Sequence, residues 1–114
     1  MQFSDYSKQA ISTDLYEREG QAIDSHAMLE KVFGLVGEAG EVAEKFKKIL
    51  RDKDGIATDE DKKELMKELG DVLWYINSVG MYLGYSLDDI AQNNLEKVLS
   101  RKDRGVTRGS GDNR

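Results

Sequence analysis

Two stretches of the chain carry the same acidic pattern. Leu35–Ala43 reads LVGEAGEVA and Leu65–Leu73 reads LMKELGDVL, each with a carboxylate, a glycine, a second acid and a valine in one order. The pairs are Glu38/Glu41 and Glu68/Asp71. Acids at i and i+3 are common in a chain with 22 Asp and Glu; Asp14/Glu17, Glu41/Glu44 and Asp61/Glu64 share the spacing and read as solvated helix faces. What distinguishes the repeated pairs is their setting. On a wheel of about 100° per residue, Glu38 falls ~60° from Leu35 and Glu41 ~120°, and Glu68 and Asp71 stand in the same relation to Leu65.

If two such helices pack antiparallel about a local two-fold, four carboxylates converge. Gly40 and Gly70, at matching places, would let the backbones approach closely. Four converging carboxylates repel and raise one another's pKa. No Lys or Arg lies inside either E-x-x-E/D element, 38–41 or 68–71, to neutralise them. A hard divalent cation resolves the conflict, and all-oxygen ligation selects Mg²⁺ or Mn²⁺. Glu44 is a weaker candidate for an outer ligand. The alternative is that the pairs point outward on opposite sides of the bundle.

The elements that must position these residues read as helices throughout. With 114 residues the chain makes one small domain, and 39% hydrophobic with 34% charged residues fits a folded, soluble one. It has no proline to break a helix and no cysteine, which excludes disulfides, zinc–thiolate sites and cysteine nucleophiles. No apolar run approaches the ~20 residues that span a bilayer, and MQFSDYSKQ has no signal core, so a cytoplasmic location is expected. A net charge of −5 argues against a nucleic-acid polymer as partner.

The apolar periods predict four helices. The first runs from about Tyr6 to Glu19, capped by Ser4 or Asp5 and closed by Gly20. The second opens near Asp24 or Ser25 and runs to about Arg51, with the turn DKDG after it. Thr58 with Asp61 forms a capping box for the third, Gly84 ends it, and Ser86 caps the fourth. The tail RGVTRGSGDNR has no apolar period and is expected to be disordered, giving a domain of residues 1–104 and a flexible 105–114. The second and third helices carry apolar faces too wide for one neighbour each, so a homo-oligomer, dimer or tetramer, is expected.

G-E-x-G-E-V-A-E followed by E-L-G-D-V-L-W-Y resembles the MazG-like and dCTPase-like nucleoside triphosphate pyrophosphohydrolases. The likeness covers roughly residues 25–104. It implies an all-α four-helix bundle, Mg²⁺ on Glu38, Glu41, Glu68 and Asp71, and hydrolysis of a (d)NTP between its α- and β-phosphates to a (d)NMP and pyrophosphate. Gly37 stands where many MazG proteins have a glutamate, which is closer to the dCTPase-like branch. The resemblance also implies a downstream N-x-x-K-x-x-x-R element, matched by Asn94, Lys97 and Arg101. Lys97 and Arg101, four apart on one face, would both reach phosphate oxygens.

The only histidine, His26, matches a base-contacting position in some dCTPase-like members. Trp74 and Tyr75 could stack on a base, but packing is the better reading. A dUTPase of the same superfamily, a phosphoribosyl-ATP hydrolase, a non-catalytic helical interaction module and a metal-binding regulator stay open as alternatives. No Walker-type phosphate loop is present.

Overall fold

A computed structural model describes residues 1–16 and 22–114. Four α-helices and no strand occur among them: α1 Phe3–Ile11, α2 His26–Lys53, α3 Asp59–Tyr82 and α4 Leu87–Asp103. Three of the four starts are where side-chain caps put them. The Ser25 hydroxyl accepts the Met28 N–H at 3.1 Å and opens α2. Thr58 and Asp61 exchange hydrogen bonds at 3.1 and 2.9 Å, and Ser86 and Asp89 do the same at 3.0 and 3.0 Å. These reciprocal boxes satisfy donors that a helix start leaves open. Lys53 closes the α2–α3 connection by donating to Asp61 at 2.7 Å. That hydrogen bond, with the Thr58 N–H, holds the Asp61 carboxyl down to about 2.

The first helix departs from its expected span. It starts at Phe3 with Gln2 as its cap and stops at Ile11; Glu19 and Gly20 lie outside the described residues. Ser12 and Thr13 donate their hydroxyls back to the Gln9 and Ala10 carbonyls at 2.6 and 2.7 Å, which competes with continued helix. The chain then turns Asp14 inward rather than onto a solvated face. Its side chain is 1% exposed and pairs at 3.0 Å with the equally buried Lys31. Tyr82 Oη and the Tyr16 N–H donate to the same carboxylate at 2.6 and 3.0 Å.

The α2–α3 pair forms the body of the molecule, antiparallel across its short turn. α1 lies against α3 and α4, whereas α2 and α4 bring no Cα pair within 8 Å of each other among the described residues. Trp74 fastens α1 to α3 by donating Nε1 to Thr13 Oγ1 at 2.9 Å, and Tyr75 meets its ring edge-on at 4.9 Å. Both aromatics therefore serve packing. Close approach of α2 and α3 is not made at Gly40 or Gly70, where an added Cβ would meet nothing within 4 Å. It is made at Gly34, where a Cβ would stand 2.2 Å from the Tyr75 ring. The repeat marks matching places in sequence, but helix crossing puts the contact six residues before Gly40 on α2.

The core is small. Ala27, Met28 and Tyr82 are its buried centre, with Val79 packed against them. Phe33, Val36, Leu50 and Met66 stay 64–69% exposed along α2 and α3. The last ten residues, expected to be disordered, follow α4 in turns held by hydrogen bonds to arginine side chains. Such ties leave no apolar period to be read.

Candidate metal centre

Residues Glu38 of α2 and Glu68 and Asp71 of α3 each bring a carboxylate oxygen within 4.8 Å of the other two. Glu38 and Glu68 are half-buried, and Asp71 is exposed. The helical repeat places them together. Glu68 and Asp71 are one turn apart on one face of α3, and the antiparallel crossing sets Glu38 opposite. Glu41, a turn further along α2, is exposed and stands outside this trio, yet its charge is felt there. Partial desolvation, then the charges of Asp71, Glu68 and Glu41, push the Glu38 carboxyl above its ordinary range. That is the signature of acids gathered without enough cation.

One cation does reach the group. Lys45 Nζ lies 3.4 Å from Glu68 Oε1, with the lysine side chain two-thirds buried. It sits four residues after Glu41 and seven after Glu38, so the helical wheel already placed it on their face. Inspection of the E-x-x-E element alone misses it, because the neutralising charge is one turn outside. Glu44, weighed as an outer ligand, turns away instead. Lys47 at 2.9 Å and Lys48 at 3.9 Å occupy it, and the Lys47 hydrogen bond holds its carboxyl below the usual range.

The donor set fits a small hard cation. Three carboxylate oxygens within 4.8 Å of one another, with no nitrogen or sulfur donor among them, form an all-oxygen set of the kind Mg²⁺ takes. Mn²⁺ takes the same oxygen-only ligation.

The other expected site residues lie elsewhere in the chain. Asn94, Lys97 and Arg101 are on α4, where Asn94 and Lys97 border an open groove of about 750 Å³ with Tyr85, Ile90 and Asn93. His26 is the first residue of α2, about 18 Å along the helix axis from Glu38 at 1.5 Å per residue. Its ring is 85% exposed, with Nε2 3.4 Å from Glu30. Neither His26 nor the α4 cations belong to the carboxylate trio, and α4 makes no contact with α2 among the described residues.

The profile of the MazG nucleotide pyrophosphohydrolase domain matches residues 26–106, which include both acidic elements and the whole of α2, α3 and α4. The chain belongs to the MazG family. It is 49% identical over 109 residues to the Gene 37 protein of Mycobacterium phage L5, covering 96% of each chain. No solved structure matches it. The carboxylate cluster is consistent with the divalent-metal site typical of a MazG domain. No helix among the described residues is long and apolar enough to cross a membrane.

Proposed function

We propose that this MazG protein is a Mg²⁺-dependent pyrophosphohydrolase that splits a nucleoside triphosphate between its α- and β-phosphates. The observation that carries this reading is the convergence of Glu38, Glu68 and Asp71 from two helices inside the matched domain. Glu38, Glu41, Glu68 and Asp71 would hold the metal, Mg²⁺ or Mn²⁺. When bound it neutralises phosphate oxygens and acidifies water. The chain's own groups do the rest. Lys97 and Arg101 grip phosphate oxygens, Asn94 and His26 border the nucleoside, and a carboxylate oxygen free of ligation accepts a proton from the attacking water. Water oxygen bonds to the α-phosphorus, the bond to the α–β bridging oxygen breaks, and pyrophosphate leaves. Incubated with a panel of NTPs and dNTPs, the protein should release pyrophosphate from at least one, and only with divalent metal. Orthophosphate as first product, or turnover unaffected by chelator, would defeat this mechanism.

The acting species is a homodimer at least, with a homotetramer built by pairing dimers. A single chain presents 8388 Å² of accessible surface, where a compact monomer of this mass presents ~6,300 Å². Its radius of gyration is 16.9 Å, against ~13 Å for a compact domain of this length. The excess is apolar along α2 and α3, a surface that soluble monomers rarely keep. A two-fold axis would cover that band, and the MazG resemblance implies that residues of a neighbouring subunit then lie close to the carboxylates. Light scattering at micromolar concentration should give at least twice the chain mass. An active monomer would place the apolar band outside any functional interface.

A further inference from the structure

The chain beyond α4 is closed on itself. The Arg114 guanidinium donates to the backbone carbonyls of Val106, Thr107 and Gly111 at 3.2, 3.1 and 2.7 Å. The Arg114 backbone oxygen accepts from Arg104 Nη2 at 2.8 Å, and the Val106 N–H donates to the Arg101 carbonyl at 2.9 Å. Gly109 and Gly111, at φ 128° and 89°, supply turns that a side chain would strain. None of these ties uses the side chain of Lys97 or Arg101.

From this loop Asp112 reaches back to α4. Its carboxylate lies 2.9 Å from Lys97 Nζ and 3.3 Å from Arg101 Nη2, and its backbone carbonyl accepts a second bond from that same Nη2. The Arg101 side chain is only 11% exposed, and its Nε is buried without a hydrogen-bond partner. Lys97 and Asp112, with Asn93, Glu96, Ser100 and Arg104, line an open polar pocket of about 410 Å³, which Arg101 does not border.

We propose that residues 105–114 form a fixed wall of the polyphosphate site, with Asp112 the positioning residue that aims Lys97 and Arg101 at phosphate. This rests on the reading of those two cations as phosphate contacts. The rival is that Asp112 is a stand-in anion which substrate must expel. Two arguments favour positioning. The loop is closed by bonds independent of the Asp112 pairs, so phosphate binding at Lys97 and Arg101 would not open it. A lysine has three donors, so the single Asp112 carboxylate leaves Lys97, which borders the pocket, with donors to spare, while the less exposed Arg101 is held behind it. Holding two long side chains in one geometry removes rotamer freedom that binding would otherwise have to freeze.

The test is calorimetric binding of inorganic tripolyphosphate to the full chain in EDTA, where no turnover intervenes. Lys97→Met should weaken binding about tenfold, the loss of one charge-assisted hydrogen bond. Asp112→Asn should weaken it about fivefold although it removes a negative charge, and Asp112→Glu should recover part of the loss. Asp112 is 77% exposed, so neither change threatens the fold. In the double variant Asp112→Asn with Arg114→Ala the second substitution should cost little more, since both act through the loop. Equal or tighter binding by Asp112→Asn, with Lys97→Met weakened, would make Asp112 a competing anion and overturn the proposal. Wild-type binding by Lys97→Met would instead remove the phosphate role of α4, and the proposal with it.

Discussion

Replacing Glu38, Glu68 or Asp71 by its amide is expected to cut Mg²⁺-dependent pyrophosphate release by at least ~100-fold, because each supplies a ligand to one shared charge. Mn²⁺ titration should show the same variants binding metal more weakly. Glu41→Gln should weaken metal binding too, since its charge already acts on Glu38. The fold should not suffer. The Glu38 carboxyl is raised in the folded chain, so folding favours its protonated form. Its contribution to stability is therefore full below the ordinary glutamate pKa of about 4.3 and is lost as pH rises through the folded value. In EDTA at neutral pH, Glu38→Gln should melt no lower than wild type, and higher if repulsion is the main cost. Amide variants with wild-type turnover would mean that the three oxygens meet without purpose.

The largest loss of stability is expected away from that centre. Asp14→Asn or Lys31→Met breaks an ion pair whose side chains are 1% and 6% exposed, and leaves a charge buried without its partner. Such breaks cost about 3–5 kcal/mol. For a domain near this size that lowers the melting midpoint by roughly 12 °C or more. Lys31 also lies over the rings of Tyr16 and Trp74, at 4.9 and 5.5 Å from their centroids, so its loss loosens the α1–α3 junction as well. Burial alone would raise the Asp14 carboxyl. Hydrogen bonds from Tyr82, the Tyr16 N–H and Lys31 outweigh it and hold the group below its ordinary range. A lowered pKa gives stability that is present above the unfolded value of about 3.9 and lost as pH falls through the folded one. Acid unfolding of wild type below about pH 4 should therefore be blunted in Asp14→Asn, which starts from a lower stability. Thermal melts across pH check both statements. A silent Asp14→Asn would show that the pair is dispensable.

The long helices were legible because their starts are written in side chains that cap them. Ser25, Thr58 and Ser86 each do in space what their spacing says. The carboxylate trio was legible for a similar reason: a repeated pattern on two helices that a short turn makes antiparallel. What stayed hidden depended on partners distant in sequence. Asp14 reads as a surface acid because its partner, Lys31, lies seventeen residues on. The first helix looked longer because apolar period does not register hydroxyls that bond back to carbonyls. Lys45 required looking one turn past the motif, and the ordered tail required arginines that fasten backbone rather than apolar side chains that pack.

The separation of α2 from α4 has a meaning for descent with modification. The acids lie on the α2–α3 hairpin, while the groove beside Tyr85 and Asn93 belongs to α4 and its approach. Within its own chain, among the described residues, the groove has no direct contact with α2 and meets the acidic hairpin through α3 and α1. If the groove receives the nucleoside, as proposed, a lineage would vary what it accommodates without altering the acidic helices. On the proposed function, two heritable characters, one chemical and one discriminating, lie on different pieces of a chain of 114 residues and are free to drift at different rates.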